Sequence, residues 1–264
     1  MNDCNHQNAT MHPNKRSSRP ITQPFWLHEY PVTFPPTHIA MTEPDGLLAV
    51  GGALTPEWLL MAYSKGIFPW FNEDDPILWW TPNPRSILVI KDLKVRKSLV
   101  KTIRKGTFEV TLDHAFEAVM RNCALVPRAD QDGTWISEDM IEAYLALHQK
   151  GHAHSVEVWQ SGELVGGLYG VAIGKVFFGE SMFSKRTDAS KVALVALCQQ
   201  LDAWGFRIID TQVETGHLKS LGAKLVSRET FEQFLETDCH QAFPARKWHF
   251  DIDWQAPFLA QTGN

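Results

Sequence analysis

The stretch from Ser155 to Trp204 limits the fold more than any other part of the chain. Ser155 to Gln160 alternates apolar and polar residues, and Ser161-Gly162 is a two-residue turn of hairpin type. Glu163 to Ala172 runs back, Gly174 turns the chain again, and Lys175 to Phe183 gives a third strand. Strands joined by turns this short pair as an antiparallel meander, because a parallel pair needs a long crossover. Ser190 to Trp204 then reads as a buried helix closed by Gly205. Phe206 to Val213 reads as a strand leading into a short helical segment near Leu218, with a further helix near Thr230 to Glu236.

Helices also come before the meander. Val95, Leu99 and Ile103 recur on one helical face between Lys94 and Lys105, and Lys94, Lys97, Lys101 and Arg104 lie on another. A second helix is expected to start at Asp113, and a third to run from an N-cap at Ser137 through Glu138 and Asp139 to Gly151. Helices on either side of an antiparallel sheet predict an α+β domain. The region from Trp26 to Pro84 is dense in proline, glycine and tryptophan, and one helix stands out in it. Thr55 supplies an N-cap, Pro56 the first helical position and Glu57 an acid in the first turn. Leu59, Leu60 and Tyr63 form its apolar stripe, and Gly66 closes it. The expected organisation is a polar, disordered tail over 1–24, a small N-terminal domain over 25–86 and a larger domain over 87–264.

The net charge of −5 argues against a nucleic-acid partner until its distribution is considered. Between Lys91 and Lys105 seven basic residues face Asp92 alone, giving +6 in 15 residues and leaving −11 elsewhere. A face built from Lys94, Lys97, Lys101 and Arg104 suits phosphate contacts, although a solvated helix face explains many basic runs. No apolar run reaches the roughly 18–20 residues that span a bilayer. Met1 to Pro20 has no apolar stretch of signal-peptide type, so a cytoplasmic protein is expected. Cys4, Cys123, Cys198 and Cys239 are scattered, which predicts reduced thiols rather than a disulfide framework or zinc site. His152 and His154 have no partner cluster nearby and read as structural or surface residues. Gly51-Gly52 and Gly166-Gly167 match no nucleotide-phosphate loop.

Three polar residues stand in apolar strands. Glu180 interrupts Phe177 to Phe183, where strict alternation puts Phe178, Glu180 and Met182 on one face. Burying it unpaired costs several kcal/mol, so it has to meet a cation, donors or water. A structural salt bridge and an acid for a cationic substrate group both meet that need. Asp210 and Gln212 follow Ile208-Ile209 and point, by alternation, to the same side. An acid of ordinary pKa, about 3.9, is a poor base at neutral pH, which casts Asp210 as an orienting group. Phe68, Trp70, Phe71, Trp79 and Trp80 put five aromatics within 13 residues, a rigid ledge that can be core or a stacking surface.

Taken together, these segments resemble the leucyl/phenylalanyl-tRNA–protein transferase family. The resemblance lies in EPDGLLAVGG (Glu43 to Gly52), LLMAYSKGIFPWF (Leu59 to Phe71), PILWWTPNPR (Pro76 to Arg85) and GTWI (Gly133 to Ile136). It continues through AYLALHQKGHAHSVEVW (Ala143 to Trp159), LVGGLYGVAIG (Leu164 to Gly174), FFGESMFS (Phe177 to Ser184) and DTQV (Asp210 to Val213). The resemblance implies an acetyltransferase-like (GNAT) core in the larger domain. It also implies transfer of Leu, Phe or Met from aminoacyl-tRNA to proteins that begin with Arg or Lys, marking them for degradation. By resemblance Gln212 holds the attacking amine, Asp210 orients it and helps proton transfer, and Glu180 pairs with the acceptor's cationic residue or sets that network. Trp70, Trp135, Tyr144, Phe177 and Met182 are the expected apolar pocket and adenosine platform.

An aminoacyl ester is already activated, so no cofactor, metal or ATP is expected, and the protein is expected to act as a monomer. The Q/R-x-x-G-x-G/A pyrophosphate signature of acetyltransferases is missing between Phe183 and Lys191, which predicts no use of coenzyme A. An acyl-CoA-dependent N-acyltransferase and a non-catalytic RNA-binding module are the rival readings.

Overall fold

Proline and glycine keep the strands of the N-terminal part short. The computed structural model describes residues 23–126 and 136–260, so Trp135 and most of the expected tail lie outside the described residues. The N-terminal elements are β1 (Phe25–Leu27), β2 (Leu47–Gly51), α1 (Pro56–Ser64), β3 (Phe68–Pro69) and β4 (Leu78–Trp80). Their strands make a four-stranded sheet in the order β1-β2-β4-β3. This sheet was not legible, because strands of two to five residues carry no periodicity. The helix starts where expected: Thr55 caps the backbone N–H of Trp58, and Gly66 turns the chain at φ +73°. Phe34 packs its edge against Trp58 and Trp79, whose own rings stack 6.1 Å apart, and this fills the core of the small sheet.

The chain then enters a larger unit. Its elements are β5 (Arg85–Val89), α2 (Lys97–Arg104), β6 (Glu109–Leu112), α3 (Phe116–Ala124), α4 (Glu138–Gln149), β7 (Ala153–Gln160), β8 (Glu163–Ile173) and β9 (Val176–Ser184). They continue as α5 (Ala189–Ala203), β10 (Ile208–Gln212), α6 (Gly216–Ser220), β11 (Lys224–Val226), α7 (Arg228–Asp238) and α8 (Ala256–Leu259). The strands form one seven-stranded sheet in the order β11-β5-β10-β9-β8-β7-β6. The meander β7-β8-β9 is antiparallel as expected, and β10 joins β9 in parallel. The first two residues of β5, Arg85 and Ser86, belong to this sheet although they end the segment expected as the small domain.

Both faces of the large sheet are covered. On one face Tyr169 and Val171 of β8 share a core with α1, α3, α4 and the small sheet. On the other Val165 and Leu168 share a core with α5, Leu99 and Ile103 of α2, and the C-terminal residues Trp248, Trp254 and Phe258. Gly166 allows α5 to sit close: a Cβ there would stand 2.5 Å from that of Ala189. Double coverage also buries the polar positions of β7. Glu157 accepts from Thr111, Ser155 and the backbone N–H groups of His114 and Ala115, so it stabilises the start of α3 rather than facing water.

Asp113 does not begin a helix as expected. It adopts φ +57°, and its carboxylate accepts from Ser155 N, His154 Nδ1 and Trp248 N. His154 stacks on the Trp248 ring with centroids 3.6 Å apart, and this histidine therefore belongs to the core.

Candidate active site

β9 and β10 stay paired only up to Phe178 and Asp210. Just past that point each strand carries a bulge. Gly179 and Ser181 face consecutive residues of β8, which leaves Glu180 as the extra residue. Asp210 and Gln212 likewise face consecutive residues of β5, which leaves Thr211 extra and puts Gln212 at φ +60°. A bulge re-aims the side chains that follow it, so strict alternation fails at these two places. A left-handed conformation at a non-glycine residue is strained, and such strain concentrates at functional sites.

A cavity of about 440 Å3 occupies the opening between the two strands. This lies within the range of small-molecule sites, roughly 300–1,000 Å3. Leu168, Phe177 and Met182 of the sheet, Leu194 and Leu197 of α5, and Leu218 of α6 make most of its wall apolar. Phe68, Pro69 and Trp70 close one side, so the N-terminal part completes the site.

Glu180 lies on the cavity wall, partly buried. Its Oε1 accepts from the Tyr63 hydroxyl at 2.7 Å and from Gln212 Nε2 at 2.7 Å, and its Oε2 from the Tyr144 hydroxyl at 3.2 Å. The two phenols also hydrogen-bond each other. Withdrawal from water pushes the Glu180 carboxyl up from 4.5 to about 7; the donors from Tyr63, Tyr144 and Gln212 oppose the rise, and the charge of Asp210 adds to it. A carboxyl in that range exchanges a proton readily at neutral pH.

Asp210 is fully buried and does not line the cavity. Its two oxygens accept from Arg85 Nε at 2.9 Å and Nη2 at 2.7 Å, and Oδ1 also accepts from the backbone N–H of Gln212 at 2.9 Å. The Arg85 guanidinium lies between the rings of Phe68 and Phe231, 4.7 and 4.8 Å from their centroids. Asp210 therefore fixes the bulge that aims Gln212, and the Gln212 amide in turn holds Glu180.

The structure brings Glu180, Gln212, Phe177, Met182 and Trp70 to one cavity. Trp70 sits at the rim, 37% exposed and 5.6 Å from Trp80, whose indole N–H donates to the Trp70 carbonyl. Tyr144, expected on the apolar surface, is fully buried behind Glu180 and serves it as a hydrogen-bond partner. Sequence reasoning missed Arg85, and it gave Tyr63 only a packing role. The one signal for Arg85 was a cation at the end of a proline-rich, apolar stretch, which has to be paired if buried.

The basic helix contributes no residue to the cavity wall and packs against α5 and α8. Lys97 and Lys101 are exposed on α2. Lys94 is exposed but lies before the helix, which starts only at Lys97 and not at Lys94 as expected. Arg104 is partly buried and donates to the carbonyl of Phe258. Thr102 donates to Asp188 just before α5, and Asp188 also holds Lys191 at 2.9 Å. His217, on the cavity wall, has its pKa lowered by burial and then by the charge of Lys191. Among the described residues no group of three or more His, Cys, Asp or Glu is placed to hold a metal ion. No helix there is long and apolar enough to cross a membrane.

The fold and site define a mixed α+β protein whose two neighbouring parallel strands part around an apolar cavity with a carboxyl on its wall. The family model described as "Leucyl/phenylalanyl-tRNA protein transferase" matches residues 87–236, and the model of that family's N-terminal domain matches residues 52–83. The chain belongs to the leucyl/phenylalanyl-tRNA protein transferase family, whose members are aminoacyltransferases. It is 73% identical over 244 residues to the leucyl/phenylalanyl-tRNA–protein transferase of Hydrogenovibrio crunogenus, covering 92% of this chain and 95% of the relative. The protein of the same name from Nitrosospira multiformis is 57% identical over 218 residues, with 83% and 94% covered. Solved structures overlay loosely. L-PGS from Bacillus licheniformis gives a TM-score of 0.36 at 11% identity, over 72% of this chain and 65% of that one. A GCN5-related N-acetyltransferase from Kribbella flavida gives 0.34 at 12%, over 65% and 61%.

Proposed function

We propose that the protein takes Leu, Phe or Met from aminoacyl-tRNA and joins it to the α-amine of a protein whose first residue is Arg or Lys. It does so as a cytoplasmic monomer, and the product is marked for degradation. The observation that carries this reading is the placement of the Glu180 carboxyl, held by Tyr63, Tyr144 and Gln212, on the wall of an apolar cavity.

The donor side chain lies among Leu168, Phe177, Met182 and Leu197. A flexible methionine beside an aromatic ring accepts Leu, Phe and Met alike. Trp70 at the rim stacks on the terminal base, and Lys97 and Lys101 contact phosphates of the RNA. The acceptor α-amine has a reference pKa near 8, so a minority is neutral at pH 7 and able to attack the ester. Gln212 turns its amide N–H to Glu180 and leaves its carbonyl oxygen for the amine. Glu180 takes the proton that leaves the nitrogen. Asp210, with both oxygens engaged, keeps the orienting role and yields the proton-transfer role to Glu180. Holding ester and amine together contributes most of the rate, up to roughly 7–11 kcal/mol.

Incubation with radiolabelled Leu-tRNA tests the reading. Label should enter a protein beginning with Arg and not its Gly-initial counterpart; label in neither would reject the assignment. Asp210→Ala and Gln212→Ala should lower turnover far more than tRNA binding, and near-normal transfer in both would remove these residues from the mechanism.

A further inference from the structure

Three contacts close a triangle behind the cavity. The Tyr63 hydroxyl meets the Tyr144 hydroxyl, the Tyr63 hydroxyl meets Glu180 Oε1, and the Tyr144 hydroxyl meets Glu180 Oε2. Each contact needs one proton, and each phenol has one to give. With Glu180 ionised, two protons serve three contacts, and one pair of oxygens meets with nothing between them. One further proton closes the ring: Glu180 Oε2 donates to Tyr144, Tyr144 to Tyr63, and Tyr63 to Glu180 Oε1. Gln212 Nε2 remains a second donor to Oε1. Both phenols are fully buried, where bulk water does not relieve an unfilled polar contact.

We propose that Tyr63 and Tyr144 are positioning residues that make Glu180 a store for one proton: the hydroxyl pair leaves a single vacant hydrogen-bond position, and the proton released by the attacking amine fills it. This rests on assigning the cavity to aminoacyl transfer. In that reaction the N–C bond forms and the C–O bond to the ribose breaks. The nitrogen loses one proton and the leaving ribose oxygen gains one, so the store is emptied in each cycle and nothing else is consumed.

The phenols themselves do not supply this proton. Burial, and then the charge of Glu180, holds both well above the ordinary phenol range. The groups that bear on Glu180 are Tyr63 of α1, Tyr144 of α4 with Tyr169 of β8 edge-on to it, and Gln212 and Asp210 of β10. Arg85 of β5 pairs with Asp210, and His217 of α6 shares the cavity.

The test is an infrared difference titration of the Glu180 carboxyl in the enzyme without tRNA, assigned by its loss in Glu180→Gln. It follows the carboxyl directly, so it succeeds or fails independently of whether amino acids are transferred. In Tyr144→Phe the carboxylate loses one donor, which by itself raises proton affinity. The acid loses both the acceptor for its proton and the closed ring of three contacts. Under the proposal this second effect has to win, so proton affinity falls. The expected drop is about tenfold, the worth of one net hydrogen bond. Tyr63→Phe opens the same ring at its other hydroxyl and should shift the midpoint the same way, which preserves the test if the first variant does not fold. A phenol acting only as a donor to the carboxylate would have the opposite effect, because its loss destabilises the charge. An unchanged or raised midpoint in either folded variant overturns the proposal.

Discussion

Arg85→Met isolates the support beneath the site. Arg85 and Asp210 are 1% and 0% exposed and share two hydrogen bonds, at 2.9 and 2.7 Å. Methionine keeps much of the apolar stem between Phe68 and Phe231 but removes the charge that neutralises Asp210. The carboxylate is then left buried with the Gln212 N–H as its remaining donor among the hydrogen bonds described above. Breaking a buried pair on one side costs about 3–5 kcal/mol. For a chain of this size that lowers Tm by roughly 10 °C. Removing both charges is far less harmful, so Arg85→Met with Asp210→Asn should recover more than half of the loss. Urea unfolding of wild type and the two variants gives the comparison. Transfer activity should stay low in the double variant, because the bulge that aims Gln212 has lost its anchor. A single variant within about 1 kcal/mol of wild type, or a double variant no more stable than the single, would refute the reasoning.

Glu180 also links stability to pH. Its carboxyl stands at about 7 in the folded protein against 4.5 for a free one, so folding favours the protonated form. That contribution is complete below pH 4.5 and is lost as pH rises through about 7. Relative to Glu180→Gln, wild type should lose up to roughly 3 kcal/mol over this window, less where water reaches the cavity wall; parallel pH curves for the two proteins would contradict this. Charge reversal at Lys97 and Lys101 should weaken tRNA binding and reduce the salt slope of log K by about two, and an unchanged slope would return α2 to a solvated face. Leu197→Phe narrows the cavity at α5 and should reduce transfer of Phe more than of Leu; equal loss for both donors, measured as kcat/KM, would place the donor side chain elsewhere.

The elements governed by local rules were legible. Thr55-Pro56-Glu57 set the start of α1, and Ser161 and Gly162, at φ +51° and +78°, made the hairpin turn that forced the meander. Of the expected stripe, Leu99 and Ile103 are buried in α2, whereas Val95 lies before the helix and is only partly buried. What was not legible depends on partners distant in sequence. The bulges at Glu180 and Thr211 arise from pairing with β8 and β5, and they change which neighbours share a face. Asp210 therefore read as a companion of Gln212 in the cavity, when its charge is consumed by Arg85, 125 residues away. Tyr63 and Tyr144 looked like helix-stripe and pocket residues, and only the approach of α1 and α4 gives their hydroxyls a shared acid.

The central claim is that Glu180 accepts the proton when the amine attacks. It is tested most directly by single-turnover transfer of labelled Leu to an Arg-initial protein by wild type and Glu180→Gln, with the aminoacyl-tRNA prebound. The account predicts a fall of about 100-fold or more in the transfer rate, the contribution of a positioned proton carrier, with tRNA affinity retained. A Glu180→Gln enzyme that transfers at a wild-type rate with bound tRNA would contradict it.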